Sequence, residues 1–421
     1  MAAPEGSDRR RDEAAQAAAV AQRLYWGRVL SATMRMARDV DVAEEATADA
    51  FLLALRTWPE RGVPDSVEAW LLTAAKRRAI DRIRRSVRYR DRLALLAAGA
   101  EHVAPAPDAD APAVLDDELR LVVLCCHPAL DHEAQVALTL RLGCGVPTAS
   151  IAAAFLVSTP TMAARLTRAK KRIADAREGI DLPDDVAVEE RMPAVRRTVH
   201  LAYAMGHTAG SGVTLRDDGV AAHAVQLARA LHALRPADSE TAGLLALVLL
   251  TEARAPTRLD VDGAQVLLAD ADRSRWDAAA IAEGLALVRG HDGNRRPGPL
   301  ALQAAIAAEH VGASSFASTD WTAIVARYDE LLTIEPSPTV AIGRCIALSY
   351  VSGPAAGLDD LDGVIALGGL DHYPYAHAAR AALLERLGRS GEATDCWLAA
   401  AGCARTTAER DWFETRAGAG R

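Results

Sequence analysis

Aromatic side chains are scarce in this chain: seven Trp, seven Tyr and four Phe make up 4% of its 421 residues. Alanine is abundant in their place, and half of all residues are hydrophobic. Small aliphatic groups in such numbers favour helix over sheet. Cysteine is equally spare. Cys125, Cys126, Cys144, Cys345, Cys396 and Cys403 contain no Cys-x-x-Cys pair and no framework of the kind that staples short secreted domains, so a reducing compartment is expected. Adjacent Cys125 and Cys126, with His127 and His132 nearby, invite a zinc reading. Two neighbouring thiols cannot readily share one ion, and no second cluster follows at finger spacing, so no metal is expected. The longest apolar run, near Leu244 to Leu250, is far below bilayer length, and the polar start MAAPEGSDRRRDE precedes no apolar stretch. The expectation is a cytoplasmic chain without a membrane span. Gly-rich phosphate loops, nucleophile elbows and His-Glu-x-x-His motifs are missing too, which argues against an enzyme and against a cofactor.

What is present is length enough for two or three domains and an uneven charge. The net charge is -8, yet residues 1 to 180 carry 26 basic and 24 acidic side chains, against 22 and 32 in residues 181 to 421. The densest basic segment is AWLLTAAKRRAIDRIRRSVRYRDR, Ala69 to Arg92, with nine Lys or Arg and two Asp between residues 76 and 92. Leu72, Ala75, Ala79, Ile83 and Val87 fall on one helical stripe, and Arg77, Arg84 and Arg88 on the other side. Such a helix is half core and half cation, suited to phosphate or, more plainly, to solvent.

A first helix is expected over residues 14–37, with Val20, Leu24, Val29, Leu30 and Met34 inward. Asp41 and Glu44 fit a capping box opening a second helix through Trp58, whose first turns also hold Glu45 and Asp49. TWPERGVPDSVE is a loop, and Asp65 with Glu68 offers a second box into the basic helix. Residues 98–114 are Ala, Pro and Asp without period, a linker able to span about 50 Å when extended. A helix-turn-helix follows: Thr148 to Phe155, a turn to Thr159, then a helix opening at Pro160. In that helix Met162, Leu166, Ala169 and Ile173 share one face, leaving Thr161, Ala164, Arg168 and Lys171 to face a major groove. Beyond residue 184 the pattern is helical hairpins. AHAARAALLERLGRSGEATDCWLAAAGCA resembles a tetratricopeptide pair, and RLDVDGAQVLLADADRSRW carries a turn signal for one small β-hairpin.

The order of these parts resembles bacterial RNA polymerase sigma factors of the extracytoplasmic-function (ECF) type. The blocks CCHPALDHEAQVALTLRL, AAFLVSTPT, DRSRWD, LALQAAIAAEH, TDWTAIVARYDELL, GPAAGL and RAALLERLGR resemble the subgroup with a C-terminal tetratricopeptide-like domain. The resemblance implies an all-α fold. Residues 1–97 form a three-helix-type region two, 98–114 a flexible linker, 115–183 a region four helix-turn-helix, and 184–421 a helical repeat domain with a regulatory or partner-binding role. It implies core polymerase (beta-prime and beta subunits) and promoter DNA as partners. Asp39, Asp41, Glu44, Glu45 and Asp49 would lie on the polymerase-binding surface. Lys76, Arg77, Arg78, Arg82, Arg84, Arg85 and Arg88 would serve the minus-ten element. Ser158, Thr159, Thr161, Ala164, Arg165, Arg168 and Lys171 would serve the minus-thirty-five element. Trp58 and Trp70 are expected in the core rather than as base-stacking surfaces. The sequence differs from the family pattern at Arg77, where Asn is usual, at Ser150, where Glu is frequent, and at Ala204 to His207, where the subgroup has Asn-Glu-Gly-Tyr. The alternative is a helix-turn-helix regulator that never joins polymerase, for which the acidic second helix is not needed.

Overall fold

A computed structural model describes residues 5–96, 117–155, 157–176, 185–207, 218–261, 264–290 and 296–419. The expected linker, and the Asp262-Gly263 turn, lie outside these. Among the described residues the architecture is all-helical, with one isolated antiparallel bridge, Leu259 to Gln265, at the place of the expected β-hairpin. The chain divides into two compact units, Met1–Ala202 and Tyr203–Arg421.

In the first unit α1 (Glu5–Ala37), α2 (Val40–Arg61) and α3 (Val67–Leu96) pack on one another. The inward face of α1 is Ala14, Ala18, Ala21, Trp26, Val29, Leu30 and Met34, whereas Val20 and Leu24 are each 40% exposed, contrary to expectation. Alanines on that face let the helices approach closely, and Trp26 stacks on Phe51 of α2 with ring centroids 5.7 Å apart. The N-cap of α2 is Asp39, two residues before the expected Asp41: its side chain accepts the Val42 N–H at 3.0 Å. The helix also runs past Trp58 and through Pro59 to Arg61. Trp58 is buried and meets half-buried Trp70 edge to face at 5.6 Å, so both are core residues.

The rest of the first unit is α4 (Asp117–Cys125), α5 (His132–Leu142), α6 (Thr148–Ala154), α7 (Thr159–Asp175) and most of α8 (Asp185–His207). Asp131 caps α5 through the Ala134 N–H, and Ser158 caps α7 through the Thr161 N–H. Between α6 and α7 the chain bends by 105°, the corner of a helix-turn-helix. The unit boundary falls within α8, not after residue 183 as expected. Val188, Met192, Val195, Val199 and Ala202 are buried there, and the Cys126 thiol lies 3.6 Å from the Thr198 hydroxyl. Burial pushes the Cys126 thiol up to about 12, so it is an inert core group.

The second unit continues with α9 (Asp218–Leu234), α10 (Ser239–Glu252), α11 (Ala278–Arg289), α12 (Pro299–Gly312), α13 (Trp321–Ile334), α14 (Pro338–Val351), α15 (Pro354–Ala366), α16 (Pro374–Arg386), α17 (Ser390–Cys403) and α18 (Thr407–Ala419). Successive helices pack against their neighbours, so this is a helical-repeat architecture. Four of them open on proline at the first position, where the missing N–H has no intrahelical partner to lose. No single helix among the described residues is long and apolar enough to cross a membrane.

Candidate nucleic-acid interface

The recognition face of the helix-turn-helix follows from the period of α7. Met162, Leu166, Ala169 and Ile173 are buried, which leaves Ser158, Thr159, Thr161, Ala164, Arg168 and Lys171 exposed to solvent. Arg165 is the exception among the expected contacts. Its guanidinium pairs with Glu133 at 2.6 Å and lies 5.8 Å from the Phe155 ring centroid.

On α3, Leu71, Ala74, Ala75 and Ala79 are buried, while Lys76, Arg77, Arg84 and Arg85 are exposed and Arg78 half-buried. Arg88 lies in α3, and its side chain is outside the described set. Arg82 turns toward α2 instead of outward: it bonds Asp49 at 2.8 Å and also reaches Glu45. Hydrogen bonding to Asp49 is the largest influence raising its pKa, against an opposing effect of burial. One expected DNA contact and two expected polymerase contacts thus neutralise one another.

Asp41 and Glu44 of α2 meet the second half of this unit. Arg141 at the end of α5 bonds one Glu44 oxygen at 2.6 Å, and Lys170 of α7 bonds the other at 3.1 Å and also reaches Asp41. Burial pulls the Lys170 pKa down, but the carboxylates of Asp41 and Glu44 more than offset it and raise it overall. Trp26 completes this seam. Its indole donates to the Leu142 carbonyl at 3.1 Å, the Arg141 guanidinium sits 6.0 Å from its ring centroid, and Gly145, at φ +67°, lies against its ring. Lys170 and Arg141 were missed from the sequence. The only hint was Lys170's place at the edge of the apolar stripe of α7, between the buried faces of Leu166 and Ile173.

The DRSRW segment builds a second cluster, in the other unit. Trp276 is buried with its indole bonded to the Thr257 hydroxyl at 2.8 Å, and Arg273 lies 4.7 Å over the ring while donating to the His310 and Ala313 carbonyls at 2.8 and 2.7 Å. Burial, then the cations of Arg254 and Arg273, push the His310 pKa down to about 4. Among the described residues no group of three or more His, Cys, Asp or Glu is placed to hold a metal ion.

Comparison with known proteins decides the family. Residues 23–89, spanning α2, the second half of α1 and most of α3, match the Sigma-70 region 2 family. The ECF RNA polymerase sigma factor SigK of Mycobacterium tuberculosis (strain ATCC 25618 / H37Rv) is 33% identical over 158 residues, covering 75% of that protein and 35% of this chain. The chain belongs to the ECF sigma factor family. SigK of Mycobacterium ulcerans (strain Agy99) is 32% identical, with 78% of its length covered. This sigma factor is longer than those relatives. Its residues 191–291 match a family of unknown function, DUF6596. An uncharacterized protein, R00370 of Rhizobium meliloti (strain 1021), is 40% identical over 372 residues, 86% of each chain. Among solved structures, yeast Tom70 aligns over 90% of this chain and 80% of its own, at 11% identity and a TM-score of 0.33, too low to carry an argument.

Proposed function

We propose that this sigma factor binds core RNA polymerase through the acidic face of α2, directs it to particular promoters and helps melt them. The phosphodiester chemistry remains with the polymerase. In this reading Asp39, Asp41, Glu44, Glu45 and Asp49 meet the beta-prime subunit. Lys76, Arg77, Arg78, Arg84, Arg85 and Arg88 track the phosphates of the minus-ten element, with Arg82 bracing the acids, and the outer face of α7 enters the major groove of the minus-thirty-five element. The second unit is a regulatory or partner-binding extension of the tetratricopeptide-like kind, and the protein works in the cytoplasm.

The observation that carries this reading is the open face of α7. A helix with buried Met162, Leu166, Ala169 and Ile173 presents small and basic groups outward, in a chain whose first three helices match region two. The test is run-off transcription by core polymerase on DNA upstream of this protein's own gene. A transcript that depends on the full chain, and that is lost when Glu44, Glu45 and Asp49 are reversed to Lys, is the expected result. Retained DNA affinity with no polymerase binding by the unaltered chain would instead establish the helix-turn-helix regulator.

A further inference from the structure

The acids expected to meet polymerase are already occupied. Glu44 has a side chain only 13% exposed, and each of its carboxylate oxygens receives a cation from the helix-turn-helix half, Arg141 on one and Lys170 on the other. Lys170 is itself 18% exposed and also holds Asp41. Half-buried charges that are removed from water keep their position only while both partners are present.

The contact is also fitted in shape. The Trp26 indole reaches the Leu142 carbonyl, and α1 packs on α4. The backbones approach so closely at Gly27 that a Cβ there would stand 2.6 Å from the Gly143 carbonyl oxygen and 2.5 Å from a Glu118 carboxylate oxygen. Complementary charge on a tightly packed apolar anchor is the make-up of a specific interface. Both sides belong to one chain, so the effective concentration is high and modest pair energies suffice.

We infer that the acidic start of α2 is an internal docking surface for the helix-turn-helix module, and that Asp41 and Glu44 exchange Arg141 and Lys170 for polymerase when the chain joins the enzyme. The inference rests on the docking role proposed above for these acids. The free protein is then closed, with Arg141 and Lys170 committed to α2, and polymerase binding and release of α7 from α2 are two readouts of one opening. The apparent affinity for polymerase is lowered by the fraction of time the seam is shut.

The test uses the full chain with Arg141→Ala and Lys170→Ala together, and Lys170→Gln alone as the milder variant if the double one folds poorly. Hydrogen exchange of α1 and of residues 142–146 reports on the seam, and fluorescence anisotropy with core polymerase, without DNA, reports on docking. Expected are faster exchange at the seam and about tenfold tighter polymerase binding. A seam that opens while affinity stays the same or falls overturns the inference, as does exchange unchanged in both variants. Glu44→Arg keeps the two readings apart. Loss of polymerase binding in that variant upholds the docking role, so an unchanged affinity in the double variant then counts against the seam alone. Retained binding in Glu44→Arg removes the docking role and this inference with it.

Discussion

Alanine at position 27 tests the closed first unit by the sign of its effect. Gly27 lies in the interior of α1, where replacing glycine by alanine ordinarily stabilises a helix by about 0.5–1 kcal/mol. Here the new methyl group meets the Gly143 oxygen at 2.6 Å, well inside the roughly 3.3 Å at which carbon and oxygen rest comfortably. The Glu118 carboxylate can swing away. The Gly143 carbonyl cannot follow easily, because its residue closes α5 with a 2.7 Å bond from its amide to the Thr139 carbonyl. Overpacking of this kind costs about 1–3 kcal/mol, so the net change is a loss of about 1 kcal/mol from the closed form. Hydrogen exchange followed by mass spectrometry isolates α1 from the second unit. Gly27→Ala is expected to exchange about fivefold faster in α1 and residues 142–146. Slower exchange, the signature of an unopposed gain in helix propensity, would refute the close approach and the seam with it.

Other perturbations address the remaining clusters. His310 is held neutral, with its pKa at about 4 against an ordinary 6.5, so the unfolded chain takes up the proton first as pH falls. Its contribution to stability is complete above pH ~6.5 and is lost progressively toward pH 4, about 2 kcal/mol between pH 7.5 and pH 5. Urea midpoints across that range should fall more steeply for the unaltered protein than for His310→Gln; equal slopes would contradict the buried neutral imidazole. Arg168→Ala with Lys171→Ala removes two exposed cations from the proposed groove face of α7. The slope of log affinity against log salt for promoter DNA should shrink by about 1.8, and an unchanged slope would place α7 away from the phosphates.

The period of α7 was enough to foresee its buried and open faces, because a short amphipathic helix has one apolar side and little choice of where to put it. In the second unit Pro299, Pro338, Pro354 and Pro374 each open a helix, a signal as local as the period of α7. Capping was read two residues late, since both Asp39 and Asp41 are chemically able to cap and only the backbone, extended at Asp39, decides between them. On α1 the large residues misled. Val20 and Leu24 look like core positions by size, but the face that meets α2 needs small groups, and Ala14, Ala18 and Ala21 take it. The last helix, Thr407–Ala419, went unrecognised: its buried Phe413 and Ala417 lie one turn apart, too short an apolar stripe to announce a helix in a largely charged and polar stretch. The seam was out of reach for a different reason. Glu44 and Arg141 are 97 residues apart, and Lys170 is 126 residues from Glu44. No local pattern distinguishes a cation that will meet an acid on a distant helix from one that will meet a phosphate.

Trp26 gives this protein an optical consequence of its own packing. Its indole is 5% exposed, stacked on Phe51, bonded to a carbonyl of the facing module and capped by the Arg141 guanidinium. Parting the two modules wets that ring and removes the nearby positive charge in one step, a change of surroundings that shifts indole emission. The difference spectrum between the unaltered chain and Trp26→Phe separates this ring from the other six tryptophans. The first unit thus carries a fluorophore at the point where its two modules meet, and the light it emits registers whether they are together.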